Sequence, residues 1–255
     1  MGHGRLDHTH FRLARWLDAV FDLLYPPRCA GCGTPGGHWC ARCASRIQRL
    51  RPPLCRQCGR PISHQLPICP DCEKSHKQVL ARSYAAYRGP VARAIVSLKY
   101  RPSRKLASVM GGWLAVLARE TGWRGDLVVP VPLSHDRFRE RGYNQAELVA
   151  HQLAGRLGVA ASGKAVTRNR ETGSQVGLSA SQRRSNVAGA FEADGQLVAR
   201  RTILLIDDLY TTGSTIEACG AALLEGGAID VKALTVGRAL GPSDRQFGKP
   251  THTEV

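Results

Sequence analysis

The chain has 255 residues, of which 43% are hydrophobic and 22% charged, so it can bury a sizeable core and is not disordered throughout. Its 36 Lys and Arg residues outnumber its 20 Asp and Glu residues, which gives a formal net charge of +16. This charge attracts polyanions, but it does not distinguish nucleic-acid binding from a basic solvated surface. No run of about 18 apolar residues occurs, so no membrane span is expected.

An amphipathic helix is the first element predicted in chain order, within residues 1–24. Pro26 ends its pattern, and its apolar residues recur at helical spacing, among them Leu13, Trp16, Val20 and Leu24. Asp18 and Asp22 interrupt the apolar residues, so the segment is not expected to be a secretory signal. We therefore expect a reducing, cytoplasmic location, where clustered CxxC pairs usually bind metal.

Residues 25–78 contain four CxxC pairs and few large apolar residues, so we expect a small domain stabilised by something other than a hydrophobic core. Two CxxC turns together supply the four thiolates of a closed, structural Zn²⁺ site. A thioredoxin-like redox role is the rival interpretation, but the βαβ setting is missing. We predict two zinc sites made by consecutive pairs, with an interleaved pairing left open: Cys29, Cys32, Cys40 and Cys43, then Cys55, Cys58, Cys69 and Cys72.

Residues 79–240 alternate apolar strands with helix-period segments, which predicts an α/β fold with a mostly parallel sheet covered by helices. The predicted strands are 81–87, 126–132, 202–208 and 229–236, and the predicted helices are 90–99, 104–121, 143–157 and 214–225. The polar stretch 168–186 is longer than ordinary connections, which predicts a functional or disordered loop. Residues 241–255 are polar and contain two prolines, which predicts a flexible tail.

The most specific motif runs from Ile203 to Thr215 and consists of four apolar residues, two acids and a Thr/Gly/Ser turn that opens a helix. Backbone N–H groups at a helix N-terminus bind anions, and Gly213 permits their close approach. Ligands of open α/β sheets bind outside the carboxyl ends of the strands. The neighbouring acids Asp207 and Asp208 suit the hydroxyls of a sugar, so this motif predicts a sugar-phosphate site.

The motif resembles the loop of type I phosphoribosyltransferases that binds phosphoribosyl pyrophosphate (PRPP), and residues 211–215 match its T-T-G-x-T ending. The wider order resembles the ComF family over about residues 25–240. That order is CxxC pairs, the segments 129–133 and 141–145, the stretch 168–191, and then the loop.

The resemblance implies a type I phosphoribosyltransferase fold preceded by a double zinc ribbon. It also implies that Asp207 and Asp208 hold the ribose, that Mg²⁺ arrives with the pyrophosphate of PRPP, and that Arg141 lies near that pyrophosphate. Asp207, Asp208 and Arg141 are accordingly the candidate catalytic residues. The implied 5′-phosphate cradle consists of Thr211, Thr212, Gly213, Ser214 and Thr215.

The family resemblance also implies a role in the uptake of single-stranded DNA during natural competence, with other competence proteins, such as a DNA helicase or translocase, as partners. Two alternatives stay open: a Mg²⁺-dependent phosphoribosyltransferase of nucleotide metabolism, and a DNA-binding module with a non-catalytic loop. Residues 82–105 suit DNA backbone neutralisation and base stacking, or equally a solvated face with core tyrosines. Their basic residues are Arg82, Arg88, Arg93, Lys99, Arg101, Arg104 and Lys105, interleaved with Tyr84, Tyr87 and Tyr100.

Overall fold

The structure is a computed structural model that describes residues 27–63, 66–75, 77–169 and 189–241. Its strands are β1 (Leu80–Ala86), β2 (Leu127–Pro130), β3 (Ala160–Ala161), β4 (Val166–Arg168), β5 (Phe191–Ala193), β6 (Thr202–Tyr210) and β7 (Asp230–Arg238). Its helices are α1 (Ala41–Ala44), α2 (Pro70–Ser75), α3 (Gly89–Tyr100), α4 (Arg104–Thr121), α5 (His135–Arg141), α6 (Gln145–Leu157), α7 (Gly195–Val198) and α8 (Ser214–Glu225). Within the described ranges, each helix is too short or too polar to cross a membrane.

Five strands form one sheet in the order β1-β7-β6-β2-β3, and each neighbouring pair is parallel. The middle strand is β6, whose residues 203–206 are completely buried because both faces of the sheet are covered. Ile203 lies in register with Leu127 of β2 and Val231 of β7. Since all five strands run the same way, their carboxyl ends meet at one edge, where ligands of such sheets bind.

Helices α3, α4 and α6 cover one face of the sheet, and their apolar residues share a buried cluster with Leu204 of β6. The two longest helices begin at side-chain caps. The Ser103 hydroxyl accepts a hydrogen bond from the Leu106 amide of α4, and the Asn144 side-chain oxygen accepts one from the Ala146 amide of α6. Gly111 allows α4 to approach α6, because a Cβ there would lie 2.6 Å from Cβ of Gln152.

The opposite face of the sheet is covered by α8, by the antiparallel hairpin of β4 and β5, and by the second half of the cysteine segment. Leu223 of α8, Phe191 of β5 and Cys55 belong to the same buried cluster as Leu205 of β6. The second half of the cysteine segment therefore shares a core with the sheet, although its composition predicted that it could not build one alone.

The first half of the cysteine segment docks on α4 and β1 through a column of aromatic rings. The Trp39 ring meets Trp113 of α4 edge to face, with 4.9 Å between ring centroids. Trp113 stacks in turn on Tyr84 of β1, with centroids 5.4 Å apart. The Arg49 guanidinium lies 4.0 Å from the centroid of the Tyr84 ring and forms an ion pair with Glu120.

The α/β fold class, the parallel sheet and the cysteine-rich start predicted from the sequence are confirmed. The predicted helices 104–121 and 214–225 match α4 and α8 at both ends. Strand β6 extends beyond its predicted end at residue 208, because its pairing with β7 continues as far as Tyr210, so the two acids are not its last residues. We did not predict the short elements α1, α2, α5, α7, β3, β4 and β5. The predicted helix of residues 1–24, most of the loop 168–186 and nearly all of the tail lie outside the described residues.

Candidate functional site

The eight paired cysteines form two groups, and within each group the four Sγ atoms lie within 4.8 Å of one another. The groups join consecutive CxxC pairs, as predicted, rather than interleaved ones. Zinc–sulfur bonds of about 2.3 Å at tetrahedral angles place the sulfurs roughly 3.8 Å apart. Cys58 Sγ and Cys69 Sγ are 3.8 Å apart, and Cys32 Sγ and Cys40 Sγ are 3.6 Å apart, so both groups fit a four-thiolate zinc ion.

The two groups differ in their surroundings. All four cysteines of the second group are buried, whereas Cys32 of the first group is exposed. In each group a backbone amide points at a sulfur: Cys40 N donates to Cys29 Sγ at 3.4 Å, and Cys69 N donates to Cys55 Sγ at 3.3 Å. Such amides stabilise thiolate ligands, and the four thiolates of each group would fill the coordination of a tetrahedral zinc ion, as in structural sites.

The predicted phosphate cradle is the turn between β6 and α8, at the carboxyl edge of the sheet. Gly213 precedes the helix with φ of +85°, and a Cβ there would overlap the Tyr210 hydroxyl, so only glycine fits. Gly213 provides no capping side chain, which leaves amides of the first turn of α8 for an anion. The hydroxyls of Thr212 and Ser214 are 2.9 Å apart; Thr211 is exposed, and Thr215 is half-buried.

Asp208 is buried within a polar network on the face of the sheet that α3 and α6 cover. It forms an ion pair with Lys99 Nζ of α3 at 3.2 Å and accepts a hydrogen bond from Gln145 Nε2 of α6 at 3.0 Å. The amide oxygen of Gln145 accepts a hydrogen bond from Arg141 Nη1, also at 3.0 Å. The fold therefore brings Arg141 and Asp208 together, with Gln145 as the bridge that we did not predict from the sequence.

Arg141 has a further feature that suits an anion. Its Nε is buried and makes no hydrogen bond within the described part of the chain. Its guanidinium carbon lies 5.9 Å from the centroid of the Tyr100 ring. The structure thus places a positive charge with spare hydrogen-bonding capacity beside the end of β6.

Asp207 leaves β6 on the opposite side from Asp208, because successive side chains of a strand alternate. Burial, together with the negative charge of Asp208, raises the pKa of Asp207 to about 7. A hydrogen bond from the Asp208 amide to Asp207 Oδ1, 2.8 Å long, opposes this rise only in part. The two acids are therefore neighbours in different surroundings, one paired with Lys99 and Gln145 and the other with a raised pKa.

Known proteins are similar to the cysteine segment and to most of the chain as a whole. A family model described as a double zinc ribbon domain matches residues 20–73. DNA utilization protein YhgH of Escherichia coli strain K12 is 34% identical over 228 residues, which cover 86% of this chain and 100% of that protein. Competence protein F of Haemophilus influenzae is 37% identical over 117 residues, covering 45% of this chain and 51% of that protein. The chain belongs to the ComF family.

Solved structures also resemble this ComF-family chain in part. Glutamine PRPP amidotransferase from B. subtilis aligns with a TM-score of 0.39 and 19% identity, over 55% of this chain and 30% of that one. Adenine phosphoribosyltransferase from Thermoanaerobacter pseudethanolicus aligns with a TM-score of 0.34 and 17% identity, over 58% of this chain and 84% of that one.

The three tyrosines of the basic stretch have different fates in the ComF-family structure. Tyr84 is buried in the aromatic column and Tyr87 is half-buried, so they follow the core interpretation left open above. Tyr100 is 66% exposed, beside the exposed residues Arg101 and Arg104. A stacking surface for bases at this place would therefore depend on Tyr100 alone among the three.

Two further cations contact the loop from its other side, and sequence analysis missed both. Lys77 Nζ donates to the Thr212 carbonyl at 2.9 Å, and Arg238 lies over the Tyr210 ring at 4.3 Å from its centroid. Lys77 is one of two lysines that follow the last CxxC pair, and Arg238 ends the last strand. Neither residue belongs to a motif, so no local signal marked them.

Proposed function

We propose that this ComF-family protein binds a ribose phosphate, PRPP accompanied by Mg²⁺, at the turn between β6 and α8. The observation that carries this proposal is the left-handed Gly213 at the start of α8, beside two carboxylates at the carboxyl edge of a parallel sheet. A 5′-phosphate would accept hydrogen bonds from the first-turn amides of α8 and from the Thr212 and Ser214 hydroxyls. Mg²⁺ would arrive as part of the substrate.

The remaining polar groups have roles that follow from their charges. Asp207 and Asp208 accept hydrogen bonds from the ribose hydroxyls. Lys99 and Arg141 bring positive charge to the same edge, where a pyrophosphate needs it. Positioning and charge stabilisation of this kind would serve a transferase as well as a binding protein, and pyrophosphate release in the presence of candidate acceptors tests for transfer.

We further propose that the protein acts on single-stranded DNA. The names of the relatives, DNA utilization protein and competence protein F, support this role. The side of the molecule around Tyr100, Arg101 and Arg104 supports it physically, because an exposed ring beside exposed cations suits stacking of a base and neutralisation of its phosphates.

Calorimetric titration of the full chain with PRPP and Mg²⁺ tests the ribose-phosphate site. Asp208→Asn keeps the shape of the side chain but weakens a charge-assisted acceptor, so we expect about a ten- to hundredfold loss of affinity. The control is Asp230→Asn, which removes a half-buried carboxylate at the opposite edge of the sheet and should leave affinity unchanged. Absence of binding by the wild type would reject the proposed site and favour a DNA-binding module.

A further inference from the structure

The second cysteine group and the loop between β6 and α8 face each other across a cavity of about 770 Å³. Its walls include Cys58, Lys77, Thr211, Ser214, Glu217 and Arg238. The two parts share the buried cluster that contains Cys58 and Tyr210, and polar side chains that reach around the cavity join them further.

Lys77 is the first of these side chains, and it lies five residues after the zinc ligand Cys72. Its Nζ donates to the Tyr210 hydroxyl at 2.8 Å and to the Thr212 carbonyl at 2.9 Å. The same Tyr210 hydroxyl occupies the space that a Cβ at residue 213 would need. Lys77 therefore fixes both the backbone of the loop and the ring on which the loop rests.

Arg238, at the end of β7, is the second of these side chains and is buried. Its Nη1 donates to the Cys58 carbonyl at 2.7 Å, and its Nη2 lies 3.3 Å from Cys58 Sγ. The same guanidinium covers the Tyr210 ring, so Tyr210 is held between Lys77 and Arg238. A hydrogen bond from a guanidinium to a sulfur is strongest when that sulfur is a thiolate, as it is in a zinc site.

The first cysteine group docks at a different place. Trp39 packs on Trp113 of α4, and Arg93 of α3 donates a hydrogen bond to the Gly31 carbonyl. These contacts lie on the face of the sheet that is opposite α8. The chain thus contains a matched control, a similar zinc site that is attached away from the loop.

We infer that the second zinc site positions the phosphate loop through Lys77 and Arg238, whereas the first zinc site does not. The inference rests on the proposed ribose-phosphate site, because it describes what holds that site in shape. Loss of zinc from the second site releases Cys58, then Arg238 and Tyr210, and so loosens residues 210–214. By linkage, a ligand in the loop must in turn tighten the binding of zinc at the second site.

Hydrogen exchange of the full, unliganded chain tests the coupling without any ligand. Lys77→Met removes both hydrogen bonds of Nζ, and we expect amides of residues 209–216 to exchange roughly three- to tenfold faster, with two zinc ions retained. Lys74→Met, an exposed lysine of the same cavity, is the matched control and should leave exchange unchanged. Equal exchange in Lys77→Met and wild type would overturn the inference.

The metal half of the coupling is tested by removing one ligand from each site. Cys72→Ser should speed exchange of residues 209–216, while Cys32→Ser should not; equal effects would overturn the inference. If Cys72→Ser fails to fold, zinc release from the wild type to a chromogenic chelator replaces it. At equilibrium, ribose 5-phosphate should then raise the chelator concentration needed to remove one of the two zinc ions, and an equal rise for both would contradict us. Failure of ribose 5-phosphate to bind would count against the proposed function, while the unliganded exchange data would still decide the coupling.

Discussion

Asp207 and Asp208 are adjacent in the chain, yet the structure gives them different chemistry. Asp208 is compensated by Lys99 and Gln145, whereas Asp207 lies on the side of α8. Burial and the charge of Asp207 also raise the pKa of the Cys219 thiol in α8, which keeps this cysteine protonated and inert. The pair therefore offers one compensated carboxylate and one whose ionisation is costly.

The free energy of unfolding should depend on pH in a way that reflects the raised pKa of Asp207. Because its pKa rises from 3.8 to about 7, the folded protein keeps a proton that the unfolded chain loses. The free energy of unfolding therefore falls as the pH rises from about 4 and becomes level above about 7. We expect Asp207→Asn to melt above the wild type by a margin that widens from about pH 4 to about pH 7, at roughly 2–4 °C for each kcal/mol.

The control for this experiment is Glu225→Gln, which removes an exposed carboxylate at the end of α8. Its melting temperature should follow that of the wild type at each pH. A constant margin between Asp207→Asn and the wild type across the pH range would show that the proton on Asp207 does not contribute. The more stable variant should also bind PRPP more weakly, as expected where a site stores unfavourable charge.

At the level of single elements, helix α8 is held in place by close backbone approach as well as by apolar burial. Gly220 lies in the middle of the helix, where a Cβ would overlap Cγ2 of Val79, the buried residue just before β1. Gly155 lies in α6, where, neighbouring backbone aside, no atom of the described residues lies within 4 Å of the equivalent position. The two glycines thus have the same helix propensity, but Gly220 leaves no room for a side chain whereas Gly155 does.

Gly220→Ala and Gly155→Ala should therefore change stability in opposite directions. Alanine in an exposed helix position gains up to about 1 kcal/mol over glycine, so Gly155→Ala should stabilise the protein. Gly220→Ala should instead cost about 1–3 kcal/mol, because Val79 cannot move without disturbing the core. Urea denaturation measures both, and stabilisation by Gly220→Ala would show that α8 is free to shift.

The aromatic column predicts that α4 anchors the first cysteine group. Trp113→Ala removes the ring between Trp39 and Tyr84, and we expect a loss of about 3–5 kcal/mol with faster hydrogen exchange in residues 38–43. Trp123→Ala removes a half-buried ring that contacts Arg82 and should cost less. Equal losses, or unchanged exchange in residues 38–43, would exclude the anchor.

For the whole molecule, charge is the dominant property. Two zinc ions held by eight thiolates carry a combined charge of −4, which lowers the formal net charge from +16 to about +12. Part of the remaining positive charge is already used within the protein, because Lys99, Arg82 and Arg238 form an ion pair or hydrogen bonds there. Binding of a polyanion should depend on the exposed cations that remain.

The salt dependence of single-stranded DNA binding tests this expectation. Log affinity should fall with log salt by about 0.7 for each phosphate neutralised, so replacing Arg101, Arg104 and Lys105 by Ala should flatten the slope by up to about 2. The control replaces an equal charge at exposed positions elsewhere: Arg119, Arg124 and Lys164. Fluorescence anisotropy measures the affinities. If both triple variants reduce the salt slope equally, the DNA binds at another surface or without a defined site.

Local spacing was enough to predict the zinc ligands, the α/β class and the turn of residues 211–215, because each depends on neighbours in the chain. The β4–β5 hairpin and α5 were missed because elements this short leave little periodicity. The remaining parts of the site join distant segments: Gln145 meets Asp208 across 63 residues, Lys77 meets Tyr210 across 133, and Arg238 meets Cys58 across 180. Pairing of single charges and amides over such separations has no period or spacing, so only folding of the chain around the sheet reveals these contacts.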